Sequence, residues 1–548
     1  MLRSVLVLAR PKSGAHSSFE ESVARVRAAL PDLHITHRWI EVSGSGLIAA
    51  TAQKMAPLPE SVLIGHPIAI NGPLSDRDLD RILEEPERAR ALGGMFVIAG
   101  RVNDGVRLVS SPSFGSTLRT SSTAWGTAWG TRCLSTLEAV NRPPRVDERR
   151  VVELIYFDYV LANDEIIEGV SVLDEAAVVD CRRNGITSRS YWSVDERMQP
   201  VRGATADDLM AVLRPWVHAA ASDDDVRLGL TGGRDSGVVA RAAATEGVRL
   251  RAFTFGDDTD EDVAKAVGRA AELGFDHDVV GLVRDDGQSD WQRLLALSGW
   301  IEGSENPEHT LAPKLEWDAR GVVWLGGNGA EIGRSFYWTA TDSDPVTTLM
   351  RRVSGTGTEP LRAELNERLR ETIAVLPGGC HGIERLDDFY SYHRMRKWIG
   401  RVLPFEQIDD SFAFYLHPDV VRVLLGFSRS DKLSGAPFDQ ILGPWSPTTP
   451  VPFAAAKPTA SGVSRYVNAA RRRARALLRP STATELPMLR EMGSPARVLL
   501  PVLGRGLWQD IVDRGRRGGR AATVMWNAVG IEALAAHLDS RPSSPSRP

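Results

Sequence analysis

Residues 226–244 read VRLGLTGGRDSGVVARAAA, and no other stretch constrains the fold as tightly. An apolar run, Val226 to Leu230, enters a tight loop made of Thr231, Gly232, Gly233, Arg234, Asp235 and Ser236. An Ala/Val-rich helical pattern follows at once. Strand, glycine loop and helix together form an anion site: the glycines let backbone N–H groups converge, and the helix N-terminus adds partial positive charge. Asp235 places a carboxylate where an anion is expected to bind. A divalent cation resolves the conflict, because Mg²⁺ bridges one or two carboxylates and phosphate oxygens. The loop therefore predicts a Mg–nucleotide site, with an ordinary strand-to-helix turn as the alternative. Other glycine loops fit less well. A Walker A loop needs Gly-Lys-Ser/Thr, a dinucleotide fingerprint needs GxGxxG, and a nucleophile elbow needs GxSxG; none is present here.

A chain of 548 residues is too long for one core and implies two or three domains. The net charge of −4 gives no electrostatic footprint for nucleic acid. The three cysteines, Cys133, Cys181 and Cys380, are scattered and make neither a disulfide framework nor a CxxC metal site. No apolar run is long enough to span a membrane, and the first residues lack the apolar core of a signal peptide. A cytoplasmic protein is the expectation.

Residues 1 to about 200 read as strand-rich. The runs SVLVLA, HRWIEV, SVLIGHPIAI, GMFVIAGRV and VRLVSS are short β-type segments between turn residues. SSFEESVARVRAAL and SDRDLDRILEEPERARAL carry helical apolar spacing. The polar stretch from Ser116 to Gly130 reads as an irregular loop. From about Gly203 the pattern alternates. A helix is expected over Thr205–Ala221, then the glycine loop, then strand VRLRAFTFG, acidic helix DEDVAKAVGRAAELG and strand DHDVVGL. Such alternation predicts a parallel sheet flanked by helices, with ligands beyond the strand C-termini. A helical region is expected over 385–430, with Arg394, Arg396, Lys397 and Arg401 either on a solvated face or on the wall of a substrate site. Basic clusters beyond 470, Arg471 to Arg475 and Arg514 to Arg520, read as solvated helix faces or as a surface that steers an acidic peptide.

The sequence LTGGRDS resembles the SGGxDS pyrophosphate loop of the asparagine synthetase superfamily of ATP pyrophosphatases. That superfamily includes asparagine synthetases, β-lactam synthetases and lasso-peptide macrolactam synthetases. Phe157 to Trp192 resembles the link from its glutaminase-type domain into the synthetase domain. The resemblance implies an α/β chain with three parts. An N-terminal Ntn-hydrolase-like α+β domain covers 1–202, and a parallel-sheet ATP pyrophosphatase (PP-loop) synthetase domain covers 203–470. A basic helical C-terminal extension with a disordered tail covers 471–548. It also implies site residues. Leu230, Thr231, Gly232, Gly233, Arg234, Asp235 and Ser236 would form the ATP and pyrophosphate site, with the β- and γ-phosphates on Gly232, Gly233, Arg234 and Ser236, the metal on Asp235, and the backbone of Thr254, Phe255 and Gly256 at the adenine. The segment Gly326 to Glu331 resembles the second loop, GxGxDE, which adds Gly327 to the nucleotide site and normally supplies a second metal-binding Asp. Here Ala330 precedes Glu331, and Glu331 is left to serve as the metal ligand beside Asp235. Lys457 resembles the family's catalytic lysine, with a surface lysine as the alternative. Tyr390 and Glu406 are positioned as equivalents of the Tyr and carboxylate that orient or deprotonate the amine in β-lactam synthetases.

Glutamine-dependent members of this superfamily carry Cys directly after the initiator Met, as an N-terminal nucleophile. Residue 2 here is Leu2. The expectation is an ATP- and Mg²⁺-dependent, AMP-forming amide synthetase that uses an amine already present in its substrate. A lasso-type precursor peptide closing to a macrolactam is the first substrate expectation. A β-lactam-type or ammonia-dependent asparagine synthetase and a degenerate ATP-binding scaffold are the alternatives. Expected partners are a peptide or small-molecule carboxylate and amine, with a leader-peptide-binding or protease partner, and no nucleic acid or membrane.

Overall fold

The computed structural model describes residues 4–12, 15–51, 60–115, 118–221, 226–248, 250–256, 260–280, 323–353, 359–399, 410–445, 497–515 and 520–540, together with isolated positions between them. The first part is a four-layer stack. One antiparallel sheet of six strands runs in the order Ser171–Val172, Arg119–Ser122, Gly126–Gly130, Ser4–Pro11, Ser45–Thr51 and His34–Ile40. A second sheet of five runs Gly185–Ser190, Ala177–Arg182, Gly105–Ser110, Phe96–Val102 and Ser61–Gly65.

Period-2 alternation sorts the side chains between layers. Leu6 and Leu8 point between the sheets and meet Leu108, Val179 and Cys181. Val5, Val7 and Ala9 point outward and are covered by Phe19, Val23 and Val26 of the helix His16–Ala29. On the far side, Ile98, Val109 and Val178 are covered by Leu79, Ile82 and Leu83 of the helix Asp76–Glu84. Each fully buried aliphatic side chain stabilises this stack by roughly 1.5–3 kcal/mol. Helix, sheet, sheet, helix is the Ntn-hydrolase-like α+β layering.

The stretch read as an irregular loop, Ser116 to Gly130, instead holds two antiparallel strands, Arg119–Ser122 and Gly126–Gly130. Its Ser and Thr residues satisfy themselves across the hairpin and with nearby carbonyls: Ser122 meets Thr127, and Thr120 donates to the Ala128 carbonyl. Polar composition hid a ladder that Ala128 and Trp129 anchor from the core.

The second part is a parallel sheet ordered Asp276–Val280, Arg251–Phe255, Val226–Gly229, Val323–Gly326 and Asp410–Ala413. Chain order runs outward to one side from Val226–Gly229 and then restarts on its other side. The boundary between Val226–Gly229 and Val323–Gly326 is therefore the topological switch point, where open α/β sheets bind ligands beyond the strand C-termini. This is the parallel-sheet layout of a PP-loop synthetase domain. The helix Ala206–Ala220 begins where the sequence places it, with Thr205 and Asp208 closing a capping box. The region 385–430 is not uniformly helical: Asp410–Ala413 is the edge strand of the parallel sheet.

A buried polar seam joins the two parts. Arg394 pairs with Asp158 at 3.1 Å, and Arg396 pairs with Asp174 at 2.9 Å and with Glu175 at 3.4 Å. Lys397 donates to the carbonyls of Val160 and Asp164. The expected solvated face is thus overturned for Arg394, Arg396 and Lys397, which are buried. Arg401 lies outside the described residues. The C-terminal helix Arg520–Ser540 packs on the helix Val151–Phe157, with Val524, Met525, Ala528, Ile531 and Leu534 in the main core. Its docking side is mainly apolar, with the buried Asn527 donating to Asp158 and to the carbonyls of Leu154 and Ile155. Residues 471–475 and 541–548 lie outside the described residues.

Candidate nucleotide site

The loop at 231–236 is held by its own hydroxyls. Thr231 donates its N–H to Ser236 Oγ at 3.0 Å, and Gly233 donates its N–H to Thr231 Oγ1 at 3.1 Å. Gly233 is the N-cap of the helix Arg234–Thr245, so the amides of Arg234, Asp235 and Ser236 lie in its first turn and have no intrahelical acceptor. The Gly232 N–H donates to Asp262 Oδ1 at 2.7 Å. Arg269 ties the loop from outside, donating to the carbonyls of Thr231 and Trp445. The Arg234 guanidinium is turned to Asp439 in a bidentate pair at 2.6 and 2.9 Å. The Arg234 guanidinium is thus engaged, and its backbone amide lies in the first turn of the helix.

The neighbouring strand supplies the other rim. Leu230 donates its N–H to the Phe253 carbonyl and accepts from Thr254 Oγ1 at 2.6 Å. Thr254 Oγ1 also lies 2.8 Å from His277 Nε2. Phe253 is buried, whereas Phe255 is 41% exposed. Gly256 has φ +141, a conformation that favours glycine, and its N–H donates to the Val280 carbonyl. Thr254, Phe255 and Gly256 therefore lie at the end of the strand beside the loop 231–236.

The second loop meets the first. After the strand Val323–Gly326 the chain turns through Gly329 at φ +99 into a short 3₁₀ turn, Ala330–Arg334. Gly329 donates its N–H to Glu331 Oε2 at 3.1 Å, and Tyr390 donates its hydroxyl to the same oxygen at 2.8 Å. Tyr415 donates to the Asp235 carbonyl at 3.0 Å. Asp235 Oδ2 accepts from Arg334 Nη2 at 2.6 Å. Asp235 Oδ1 is buried and has no hydrogen-bond partner among the described residues. Burial pushes the Asp235 carboxyl up to about 7; Arg334 opposes the shift and the charge of Glu331 reinforces it. Burial also holds the Tyr390 hydroxyl well above its ordinary value, so it serves as a donor and not as a phenolate.

This donor set fits one Mg²⁺. The Glu331 carboxylate lies near enough for its charge to act on Asp235, and Asp235 keeps one buried oxygen unengaged among the described residues. Among the described residues no group of three or more His, Cys, Asp or Glu side chains converges. Lys457 and Glu406 lie outside the described residues. Sequence reasoning missed Arg334, Asp262, Asp439 and Tyr415. Arg334 carried a signal: it stands three positions after Glu331 in the same turn.

The fold is a two-part α/β protein, with antiparallel Ntn-hydrolase-like layering at the front, a PP-loop-like parallel sheet behind, and two glycine loops meeting at the switch point. No protein-family model matches the chain, and no curated protein matches it. Solved structures do. NMN synthetase from Francisella tularensis is 16% identical, covering 36% of this chain and 96% of its own, with a TM-score of 0.20. The allosteric regulatory enzyme of purine biosynthesis is 8% identical over 50% of this chain and 80% of its own, at 0.23. Glutamine phosphoribosylpyrophosphate amidotransferase from B. subtilis, complexed with ADP and GMP, is 10% identical over 64% and 79%, at 0.22. Scores this low carry no argument, and the fold assignment rests on strand order and layering. Among the described residues no helix is long and apolar enough to cross a membrane.

Proposed function

We propose that the chain is an ATP-dependent, AMP-forming amide synthetase. The observation that carries this reading is the contact of two glycine loops across the switch point, which sets the carboxylates of Asp235 and Glu331 beside a helix N-terminus. The first-turn amides and Ser236 cradle the β- and γ-phosphates, with Gly232, Gly233 and Arg234 shaping the loop. Thr254, Phe255, Gly256 and Leu230 line the adenine side, and Gly327 closes the phosphate side. Asp235 and Glu331 would hold Mg²⁺, which would supply charge neutralisation on the phosphate oxygens.

A substrate carboxylate oxygen attacks the α-phosphorus, the α–β bridging bond breaks, and pyrophosphate leaves. An amine nitrogen then attacks the acyl carbon, the bond to AMP breaks, and the amine loses a proton. Lys457 is the proposed ammonium for the negative charge that builds on the carbonyl oxygen and the departing phosphate. Tyr390 positions Glu331, and Glu406 is kept as a proposed acceptor-side carboxylate. Holding the amine against the acyl-adenylate supplies an effective molarity that reaches roughly 10⁵ M in well-oriented systems.

The substrate proposed first is a ribosomal peptide closed to a macrolactam of the lasso type, in a cytoplasmic protein working beside a leader-peptide-binding or protease partner. The N-terminal part, proposed as 1–202, is then a scaffold or substrate-binding surface, with 203–470 as the synthetase unit and 471–548 as an extension. The test is ATP–pyrophosphate exchange screened against candidate carboxylates. Exchange with AMP as product, abolished by Asp235→Ala, is the expected result. Formation of ADP overturns the reading.

A further inference from the structure

We propose that Arg334 is a phosphate-binding residue of this site, held on Asp235 until a nucleotide arrives. The inference rests on the synthetase reading above and adds a cation that the superfamily resemblance does not supply. Arg334 Nη2 sits 2.6 Å from Asp235 Oδ2. Its Nε is buried and has no acceptor among the described residues. The complementary group is Asp235 Oδ1, a buried acceptor without a partner among the same residues. Unsatisfied charged groups are costly to bury, and each in a native site calls for an explanation. One donor and one acceptor on touching loops suit a ligand that brings both an anionic oxygen and a cation. A metal–phosphate unit is such a ligand.

The other arginines around the loop are committed elsewhere. Arg234 is bidentate on Asp439. Arg269 donates to the carbonyls of Thr231, Gly233 and Trp445. Arg334 is placed differently. Its guanidinium lies 5.8 Å from the Phe438 ring centroid, a support that uses no N–H. Its side chain is 27% exposed, enough to turn toward the crevice. The partner exchange follows directly. A divalent cation takes Asp235, Arg334 is released, and its fork takes a phosphate oxygen through charge-assisted hydrogen bonds. Metal and phosphate then favour each other's binding, because each removes the other's competitor.

The test uses the full chain with Mn²⁺ and inorganic pyrophosphate as probes. Mn²⁺ binding is read by electron paramagnetic resonance without nucleotide, and pyrophosphate binding by calorimetry. Arg334→Gln is expected to tighten Mn²⁺ alone about tenfold and to weaken pyrophosphate in the presence of Mn²⁺ about tenfold. Asp235→Asn, nearly isosteric, is expected to tighten pyrophosphate without metal about tenfold, since it frees Arg334. Unchanged or weaker Mn²⁺ binding in a folded Arg334→Gln protein overturns the inference. If that variant does not fold, unchanged or weaker metal-free pyrophosphate binding by Asp235→Asn overturns it. A native protein that binds neither pyrophosphate nor ATP overturns the synthetase reading as well, so the two failures are distinguishable.

Discussion

Gly327 lies against the backbone of Ser236: a Cβ at 327 would sit 2.7 Å from the Ser236 amide nitrogen and 3.0 Å from Asp235 Cβ. Only a residue without a side chain lets the second loop rest on the first turn of the phosphate helix. Gly327→Ala is expected to push the loops apart and weaken binding of a non-hydrolysable ATP analogue at least about tenfold. Overpacking of this kind costs about 1–3 kcal/mol. Calorimetry with urea denaturation reads both effects, and unaltered affinity in the variant would remove this contact from the site.

Asp235 gives a pH signature in the metal-free protein. Its carboxyl is raised to about 7 in the fold from an ordinary 3.8, chiefly by burial. Between those values the folded chain holds a proton that the unfolded chain has lost, so this contribution to stability is full below pH 4 and is lost as pH rises through 7. The side chain is 23% exposed, and a shift of this size amounts to at most about 4 kcal/mol. Urea denaturation between pH 4 and 8 is expected to show the native protein losing stability relative to Asp235→Asn over that window. Parallel curves would place the Asp235 carboxyl in an ordinary environment.

Tyr390 acts on Glu331 through one hydrogen bond of 2.8 Å. Tyr390→Phe keeps the ring and removes that bond. Because the acceptor is a carboxylate, the expected stability loss is about 1.5–3 kcal/mol. Pyrophosphate exchange is expected to fall about tenfold, since Glu331 keeps only the Gly329 amide on that oxygen. An exchange rate equal to the native one would show that Glu331 does not serve the nucleotide.

Asp158 joins three distant segments. It caps the helix Val151–Phe157 at φ 70, and it accepts from Arg394 at 3.1 Å and from Asn527 of the C-terminal helix at 2.8 Å. Asp158→Ala leaves the buried Arg394 without its carboxylate, a change worth about 3–5 kcal/mol. Chemical denaturation is the measurement. A loss below about 1 kcal/mol would mean that the seam contributes little to holding the two parts together.

The local structure of the glycine loop was legible because every part of it is contiguous. Strand, glycines, Asp235, Ser236 and the helix start fall within 226–245, and the structure builds them as the sequence orders them. Sheet type was legible for the same reason, since alternating strands and helices of the expected lengths leave a parallel sheet as the natural packing. The polar hairpin at 119–130 was not, because pairing across a sheet, and not apolar run length, makes those residues strand.

Sequence by itself determined the strand, glycine turn and helix at 226–245 and the lone carboxylate in that turn, because these depend on residue identity and nearest neighbours. Tertiary structure alone decided what reaches that turn. Arg334 meets Asp235 across 99 positions, and Arg394 finds Asp158 across 236. Side chains that read as a charged helix face become a buried seam, because a guanidinium is stable away from water only when another segment delivers its carboxylate. Which segments are delivered is set by strand order at the switch point and by the packing of the two parts.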